Sequence, residues 1–146
     1  MTEIAFHFNV ADKLEYACRL LRKAWRSGAR VGVVGEAEVL GRLDRELWSF
    51  EPLEFIPHAS TRAASQPQGR HTRIWLGSRA QDFPHQGVLV NLGDGVPEGF
   101  ERFDRLIEIV GLHAEDRQQA RRRWKHYADR GYEIGRHEVA VSEGPG

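Results

Sequence analysis

The chain has 146 residues, and its 21 lysines and arginines are balanced by 21 aspartates and glutamates, so the formal net charge is zero. This length suits one domain with a substantial hydrophobic core. A protein that neutralises many phosphates is usually basic, so the overall charge argues against nucleic-acid binding as the main activity, although a local basic patch can still provide it. A single cysteine excludes an intramolecular disulfide and a multi-cysteine zinc site.

The start of the chain, MTEIAFHFNV, lacks the basic residues and the apolar core of a signal peptide. No apolar run approaches the ~20 residues that a membrane-spanning helix requires. These two features predict a cytoplasmic protein that does not bind a membrane.

Strand and helix signals alternate in the first third of the chain. Residues 4–8 alternate apolar with other side chains, which predicts a strand. Apolar residues then recur at helical spacing, at Leu14, Cys18, Leu21 and Trp25. With Asp12 as a candidate cap and Gly28 as a stop, they predict a first helix through residue 27. Residues 31–34 form a short apolar strand of the kind that is buried on both faces.

A second helix is predicted over residues 37–48, and two prolines make the segment after it an irregular turn. Residues 59–72 are rich in Ser, Ala and Gln, which predicts a loop. Three further apolar runs predict strands at residues 73–77, 87–92 and 105–110. A long helix is expected over residues 114–130, and the small polar residues 142–146 are expected to be a disordered tail.

This alternation of helices with short apolar strands predicts an α/β fold. We expect a single domain over residues 1–141, with a mostly parallel central sheet flanked by helices. The middle of the chain has few helical signals, so an antiparallel strand at the sheet edge is also expected there.

Sequence signatures of enzymes and metal sites are absent. Gly32 and Gly35 have the wrong spacing for a dinucleotide-binding GxGxxG motif, and no P-loop motif occurs. No serine lies in a GxSxG context, and no two histidines have the spacing of a zinc-binding motif. We therefore expect no catalytic residue, no metal site and no cofactor. His58, after Pro57, is expected to form a hydrogen bond to the backbone, and Cys18 to be a small buried hydrophobe.

The most basic stretch is residues 117–130, where six basic residues and one acidic residue give a net charge of +5. Helical spacing places five of its residues on one face: Arg117, Arg121, Trp124, Lys125 and Ala128. The adjacent face, with Ala120, Tyr127 and Gly131, is expected to pack inward.

A helix face that combines cations with an aromatic ring suits an acidic peptide that has an apolar anchor, because arginine binds carboxylates and the ring accepts a hydrophobic side chain. The same face suits single-stranded DNA, through phosphate contacts and base stacking. A third interpretation is a solvated basic face with Trp124 packed into the core. The residues alone leave all three open.

A second candidate surface consists of Trp48, Phe50 and Phe55. Three leucines at positions 40, 43 and 47 already fill the inward side of the second predicted helix. Trp48 and the proline-bracketed aromatic turn are then left near the rim, where aromatic residues are typical interface anchors. The alternative is a small satellite core beneath the turn.

Four segments of this chain resemble, in their order, the chi subunits of bacterial DNA polymerase III: AFHF, AWRSGARV, RLDRELWSFEPLEFIPH and RRRWKHYADRGY. The resemblance extends from about residue 4 to residue 139. Its most specific parts are the FIPH turn after LDxxLW and the basic, aromatic last helix.

The resemblance implies a fold like that of nucleotide-binding α/β proteins, no intrinsic enzymatic activity, and an accessory role in the clamp-loader assembly. It also implies two partners, the small psi subunit and the acidic C-terminal tail of the single-stranded DNA-binding protein. Arg121 and Lys125 would engage the carboxylates of that tail, and Trp124 would wall the pocket for its terminal aromatic residue. Trp48 and Phe55 would form the surface for psi, which a repair helicase is expected to share in some bacteria.

Two departures from the family pattern stand out. Position 124 is Trp where the family has Tyr, and the 59–72 segment is not recognisably similar. Two alternatives to the adaptor role follow from the residues. One is a nucleotide-binding enzyme on a degenerate Rossmann-like fold, with its pocket near Gly35 or Asn91. The other is direct binding of single-stranded DNA through the last helix. An adaptor, in contrast, would contact nucleic acid mainly indirectly, through its protein partners.

Overall fold

The computed structural model describes residues 1–49, 58–60 and 73–139 of the chain. The helices in these ranges are α1 (Lys13–Ser27), α2 (Ala37–Ser49) and α3 (Ala114–Asp129). The strands are β1 (Glu3–Val10), β2 (Val31–Val34), β3 (Ala59–Ser60), β4 (Ile74–Gly77), β5 (Val88–Asn91), β6 (Arg105–Gly111) and β7 (Ile134–Glu138). They form one sheet in the order β3-β4-β2-β5-β6-β1-β7, in which every neighbouring pair is parallel.

The predicted α/β fold with a parallel sheet flanked by helices is confirmed. The expected antiparallel edge is wrong for the described strands, since β3 and β7, at the two edges, both run parallel to their neighbours. The sequence between β3 and β4, residues 61–73, has the dozen or more residues that a parallel connection requires. The tail from residue 142 lies outside the described residues.

Helix α1 begins and ends where its terminal residues predict. The Asp12 carboxylate accepts a hydrogen bond from the Glu15 amide, which satisfies one of the amides left open at the helix start. Gly28 follows the last turn in the left-handed conformation, at φ 81°, where a side chain would be strained. The buried residues of α1 recur at helical spacing: Leu14, Ala17, Cys18 and Leu21.

The sheet separates two hydrophobic layers. Side chains of α1 and α2, including Leu21 and Leu43, form one buried cluster with sheet residues such as Val33. On the other face, Tyr127 of α3 packs with Phe6 and other buried side chains of the sheet. None of the helices in the part of the chain that the structure describes is long and apolar enough to span a membrane.

A buried ion pair fastens α3 to the sheet. The carboxylate of Glu108, on β6, accepts hydrogen bonds from Arg123 Nε at 2.9 Å, from Tyr127 Oη at 2.5 Å and from Asn91 Nδ2 at 2.9 Å. Glu108 is 0 % exposed and Arg123 2 % exposed. Burial raises the pKa of the Glu108 carboxyl, against the opposing effect of the Arg123 guanidinium. The Glu108 carboxylate thus connects α3, through Arg123 and Tyr127, to the neighbouring strands β5 and β6.

The same network fixes the loop that follows β5. Arg123 Nη1 donates to the Asp94 carbonyl oxygen at 2.7 Å, and Asn91 Nδ2 donates to the Gly95 carbonyl oxygen at 3.0 Å. The Gly93 amide donates to Asn91 Oδ1 at 2.8 Å. The rotation of α3 about its own axis is therefore set by contacts to both the sheet and a loop.

We expect the Arg123→Met variant to lower the free energy of unfolding by about 3–5 kcal/mol, because it leaves the Glu108 carboxylate buried without its counter-charge. Urea unfolding, followed by circular dichroism, measures the change. Arg122→Met is the matched control, since Arg122 is the exposed neighbour on the same helix and its replacement should shift stability by no more than about 0.5 kcal/mol. Equal unfolding midpoints for the two variants would contradict the assignment.

Candidate functional site

A cleft of about 490 Å³ lies between α3 and the outer strands β1 and β7. Its walls combine cationic, aromatic and polar side chains: Phe8, Asn9, Arg117, Ala120, Arg121, Trp124, Arg136 and Glu138. The three arginines face a single carboxylate within this set, so the cleft is cationic in a protein whose net charge is zero.

Aromatic rings form the apolar part of the cleft. Trp124, half-buried on α3, has its ring centre 5.0 Å from that of Phe6 and 6.1 Å from that of Phe8. Phe6 belongs to the buried core, and Phe8 lies two residues further along β1, on the same face of the strand. Trp124 therefore packs on the core without being enclosed by it, and it lines the cleft together with Phe8.

Two of the arginines are held in place by neighbouring side chains. Arg117 Nη2 donates to Asn9 Oδ1 at 3.0 Å. Asn9 has a left-handed backbone conformation, at φ 63°. It lies where the register of β1 against β6 shifts, and such irregularities in a strand change the direction of side chains near functional sites. The Arg136 guanidinium lies 4.9 Å from the centre of the Phe8 ring and 3.4 Å from the Glu138 carboxylate.

The structure brings together three of the five residues predicted for this site. Arg117, Arg121 and Trp124 line the cleft. Lys125 is exposed beside it, and its Nζ is 3.0 Å from a carboxylate oxygen of Asp129. Ala128 is exposed one turn further along α3 and does not line the cleft.

The sequence interpretation missed the half of the cleft that the strands supply. Asn9, Arg136 and Glu138 come from β1 and β7, and β7 was not predicted. Four of the five residues of β7 are exposed, so the strand lacks the alternation of apolar and polar residues that identifies a half-buried strand. The one available signal was the spacing of Arg136 and Glu138, which places both side chains on the same face of an extended chain.

Two expectations for α3 need correction. Arg123 was counted with the basic residues of the helix, but it is buried and bonded to Glu108. Its position could have indicated this, because it lies three residues after Ala120 and four before Tyr127, both of which are buried. Gly131 was expected to pack inward with them, but it is exposed beyond the end of the helix.

The second predicted surface is only partly described. Trp48, near the end of α2, is 63 % exposed, and its ring centre is 6.1 Å from that of His58. His58 was expected to form a hydrogen bond to the backbone, and its Nε2 lies 2.6 Å from the side-chain carboxylate oxygen Oδ1 of Asp44 on α2. The other two residues of this surface, Phe50 and Phe55, lie outside the described residues.

A crevice of about 490 Å³ also lies at the carboxyl ends of the strands, where open parallel sheets commonly bind nucleotides. Two backbone amides at this crevice donate to the protein's own carboxylates. Asp12 accepts from the Glu15 amide at the start of α1, and Asp116 accepts from the Gly111 amide at 2.6 Å while lying 3.3 Å from Lys13 Nζ. These carboxylates would repel a phosphate group at the same positions.

The two residues named for a nucleotide pocket are also engaged. Gly35 is buried and lies against Leu92, and the Asn91 amide group is bonded to Glu108 and to the loop after β5. Among the described residues, no group of three His, Cys, Asp or Glu side chains is placed to hold a metal ion. The geometry therefore favours the α3 cleft over this crevice as the candidate site.

Fold and cleft together define a parallel α/β domain with a cleft that combines three arginines with aromatic rings. The family model described as "DNA polymerase III chi subunit, HolC" matches residues 1–135. The chain belongs to this family of accessory subunits of DNA replication.

Three relatives, each named DNA polymerase III subunit chi, match most of the chain. The protein from Haemophilus influenzae is 31% identical over 126 residues, which are 86% of each chain. The Pseudomonas aeruginosa protein is 31% identical over 145 residues, which are 95% of this chain and 98% of the relative. The Escherichia coli protein is 26% identical over 121 residues, which are 82% and 81% of the two chains.

Proposed function

We propose that this subunit captures the acidic C-terminal tail of the single-stranded DNA-binding protein in the α3 cleft, and that the psi subunit, bound at the Trp48 surface, links it to the clamp loader. The single observation that carries the proposal is the placement of three arginines around an aromatic floor. In this role the protein is an adaptor, and no catalytic step is assigned to it.

The arginines suit the carboxylates of the tail. A guanidinium group binds a carboxylate through two parallel hydrogen bonds, and it remains charged at any physiological pH. Arg117 is already oriented by Asn9, so less side-chain entropy is lost when a ligand binds. Arg121 extends from the next turn of α3, and Arg136 faces it from β7, so carboxylates can be bound from two sides.

The aromatic rings suit an apolar side chain near the end of the tail. Trp124 and Phe8 offer ring faces beside the cations, and aromatic pairs add to the free energy of burying apolar area. A volume of about 490 Å³ lies within the usual range of small-ligand sites, so it can enclose a large side chain together with neighbouring carboxylates. The apolar side chain near its end distinguishes the proposed ligand from other acidic peptides.

Because the arginines lie at the rim of the cleft, salt should weaken the interaction. Exposed charges separated by more than about 8 Å are largely screened at physiological ionic strength. Rim charges act mainly on the rate of association and on the choice of partner. An adaptor that binds and releases moving DNA complexes benefits from such rapid exchange.

Charge variants of the cleft should change affinity for the tail peptide in opposite directions. We expect Arg121→Ala to weaken binding of a labelled peptide from the C-terminus of the host's single-stranded DNA-binding protein by roughly tenfold, since it removes a charge-assisted hydrogen bond. Glu138→Gln should strengthen binding about threefold, because it removes the carboxylate that competes for Arg136. Fluorescence anisotropy titrations measure both.

The control for this experiment is Arg122→Ala, which removes the same charge from an exposed position that does not line the cleft. It should bind the peptide almost as well as the wild-type protein. Equal losses for Arg121→Ala and Arg122→Ala would show that only net charge matters, and unchanged binding by a folded Arg121→Ala variant would exclude the cleft as the site.

The proposed psi surface rests on Trp48. A tryptophan that is 63 % exposed, with its ring near that of the partly buried His58, is typical of an interface anchor, and a repair helicase could dock on the same ring. Because α2 and α3 pack on opposite faces of the sheet, a partner at Trp48 leaves the α3 cleft accessible. Both partners can therefore be held at once.

We expect Trp48→Ala to weaken binding of psi by about 2 kcal/mol or more, the usual cost of truncating a central interface anchor. The thermal midpoint and the affinity for the tail peptide should stay unchanged, since the side chain is mostly exposed and distant from α3. Calorimetric titration with psi measures the change. Retained psi binding by this variant would remove Trp48 from the interface without affecting the proposal for the cleft.

A further inference from the structure

A hollow of about 280 Å³ lies beneath the second half of α1, where the strands β2, β5 and β6 begin. We call it the α1 hollow, and its main walls are formed by six residues: Leu20, Lys23, Ala24, Val88, Arg105 and Ile107. None of these residues belongs to the α3 cleft or to the proposed psi surface. The hollow is therefore a feature that the proposed function does not use.

The register of the parallel strands forms the floor of the hollow. Arg105, the first residue of β6, lies beside Val88 of β5, which in turn lies beside Val31 of β2. Two residues further along, Ile107 lies beside Val90. Alternate residues of a strand point to the same face of the sheet, and the valines and Ile107 belong to the hydrophobic layer beneath α1. A cation thus lies at the edge of an apolar floor.

The apolar walls are only partly covered by the protein. Leu20 and Ala24 of α1 are partly buried, and so are Val88 and Ile107 of the sheet, whereas Leu21 next to them is fully enclosed. Partly buried apolar side chains around one hollow leave apolar surface in contact with water. Covering such surface is the main favourable contribution to binding.

Two cations lie at the mouth of the hollow. Lys23 and Arg105 are exposed, and neither forms an ion pair or a side-chain hydrogen bond with any residue that the structure describes. Glu3 lies beside Arg105 in the register of β1 and β6 but does not line the hollow. The pKa of His7, a further lining residue, is lowered to about 4, mainly by burial and also by nearby charges, among them those of Arg105 and Lys23. These charges make the potential in the hollow positive.

The end of α1 opposes an anion less than an open helix terminus would. Unpaired carbonyl groups give the carboxyl end of a helix a partial negative charge. Here the Ala24 carbonyl oxygen accepts hydrogen bonds from Ser27 Oγ at 2.9 Å and from the Ala29 amide at 3.0 Å. The Trp25 carbonyl oxygen accepts from the Gly28 amide at 3.2 Å. The charges of the side chains at the mouth therefore outweigh that of the helix end.

We propose that the α1 hollow binds a small amphiphilic carboxylate, in which one anionic group is joined to an aliphatic body of about six to eight carbons. The carboxylate would lie beside Lys23 and Arg105, and the aliphatic body would cover Val88 and Ile107. A volume of about 280 Å³ is just below the range of about 300–1,000 Å³ that is usual for small-ligand sites, so the ligand is small. The proposal depends on neither partner of the proposed function.

The composition of the walls separates this hollow from the α3 cleft. The cleft combines arginines with the aromatic rings of Trp124 and Phe8, whereas the walls of the hollow are mostly aliphatic. Aliphatic walls suit a flexible alkyl chain. An inorganic anion would leave the apolar floor uncovered and would gain only the contacts with two exposed cations, which salt screens.

The test titrates the full chain with sodium octanoate, and isothermal calorimetry measures the affinity. A ligand of about ten non-hydrogen atoms is expected to bind with a dissociation constant of about 1 mM or lower. Octylamine and 1-octanol keep the alkyl chain without the negative charge, so they should bind at least about tenfold more weakly. The Cε1 proton of His7 should shift in NMR spectra as octanoate is added, which would locate the ligand in the hollow.

Two variants separate the contributions of charge and shape. Lys23→Gln/Arg105→Gln should weaken octanoate binding about tenfold or more, because both charges at the mouth are removed. Its matched control is Arg102→Gln/Arg122→Gln, which removes two exposed charges outside the hollow and should bind like the wild-type protein. Ala24→Leu should abolish binding, because the larger side chain fills the hollow. Leucine is nearly as good a helix former as alanine, so the thermal midpoint of this variant should not fall.

Three results would overturn the proposal. One is the absence of both heat and a His7 shift when octanoate reaches about tenfold the expected dissociation constant. Another is equal affinity for octanoate and octylamine, or undiminished octanoate binding by the folded Lys23→Gln/Arg105→Gln variant, which would leave the cations without a role. The third is a clearly higher affinity for an acetylated peptide acid ending in leucine, lost in Ala24→Leu, which would assign the hollow to the chain terminus of a protein.

Discussion

The buried pair of Glu108 and Arg123 is the constraint on which the functional surface depends. Neither charge reaches water, so each depends on the other and on hydrogen bonds, and the contacts of Arg123 and Tyr127 with Glu108 fix the rotation of α3. That rotation turns Arg121 and Trp124 towards β1 and β7. A polar network in the core thus determines where the exposed cations point.

Zero net charge conceals a strong separation of charge over the molecule. Carboxylates gather at the carboxyl ends of the strands, where Asp12 and Asp116 occupy the backbone donors that a phosphate would need. Cations gather on α3 and on the outer side of α1. The described cations of the α3 cleft thus lie away from the crevice at the carboxyl ends of the strands.

Periodicity predicted the helices well, because their stability depends on one apolar stripe that is visible in the sequence. Leu14, Cys18 and Leu21 are buried as their spacing indicates. Strand β7 escaped prediction because its order comes from pairing with β1, more than a hundred residues away, and its own residues are mostly exposed. The helical half of the cleft could therefore be predicted from spacing, and the strand half could not.

The position of β7 at the edge of the sheet gives the cleft a dynamic property. Among the described strands, β7 pairs only with β1, and it buries few of its side chains, so it belongs to the kind of segment that opens at a small fraction of the global unfolding free energy. Each opening removes Arg136 and Glu138 from the wall. For a ligand bound as proposed, the apparent affinity would be the intrinsic affinity multiplied by the fraction of molecules in which β7 is paired. Such a ligand would slow the exchange of the backbone amide hydrogens of β7 with solvent.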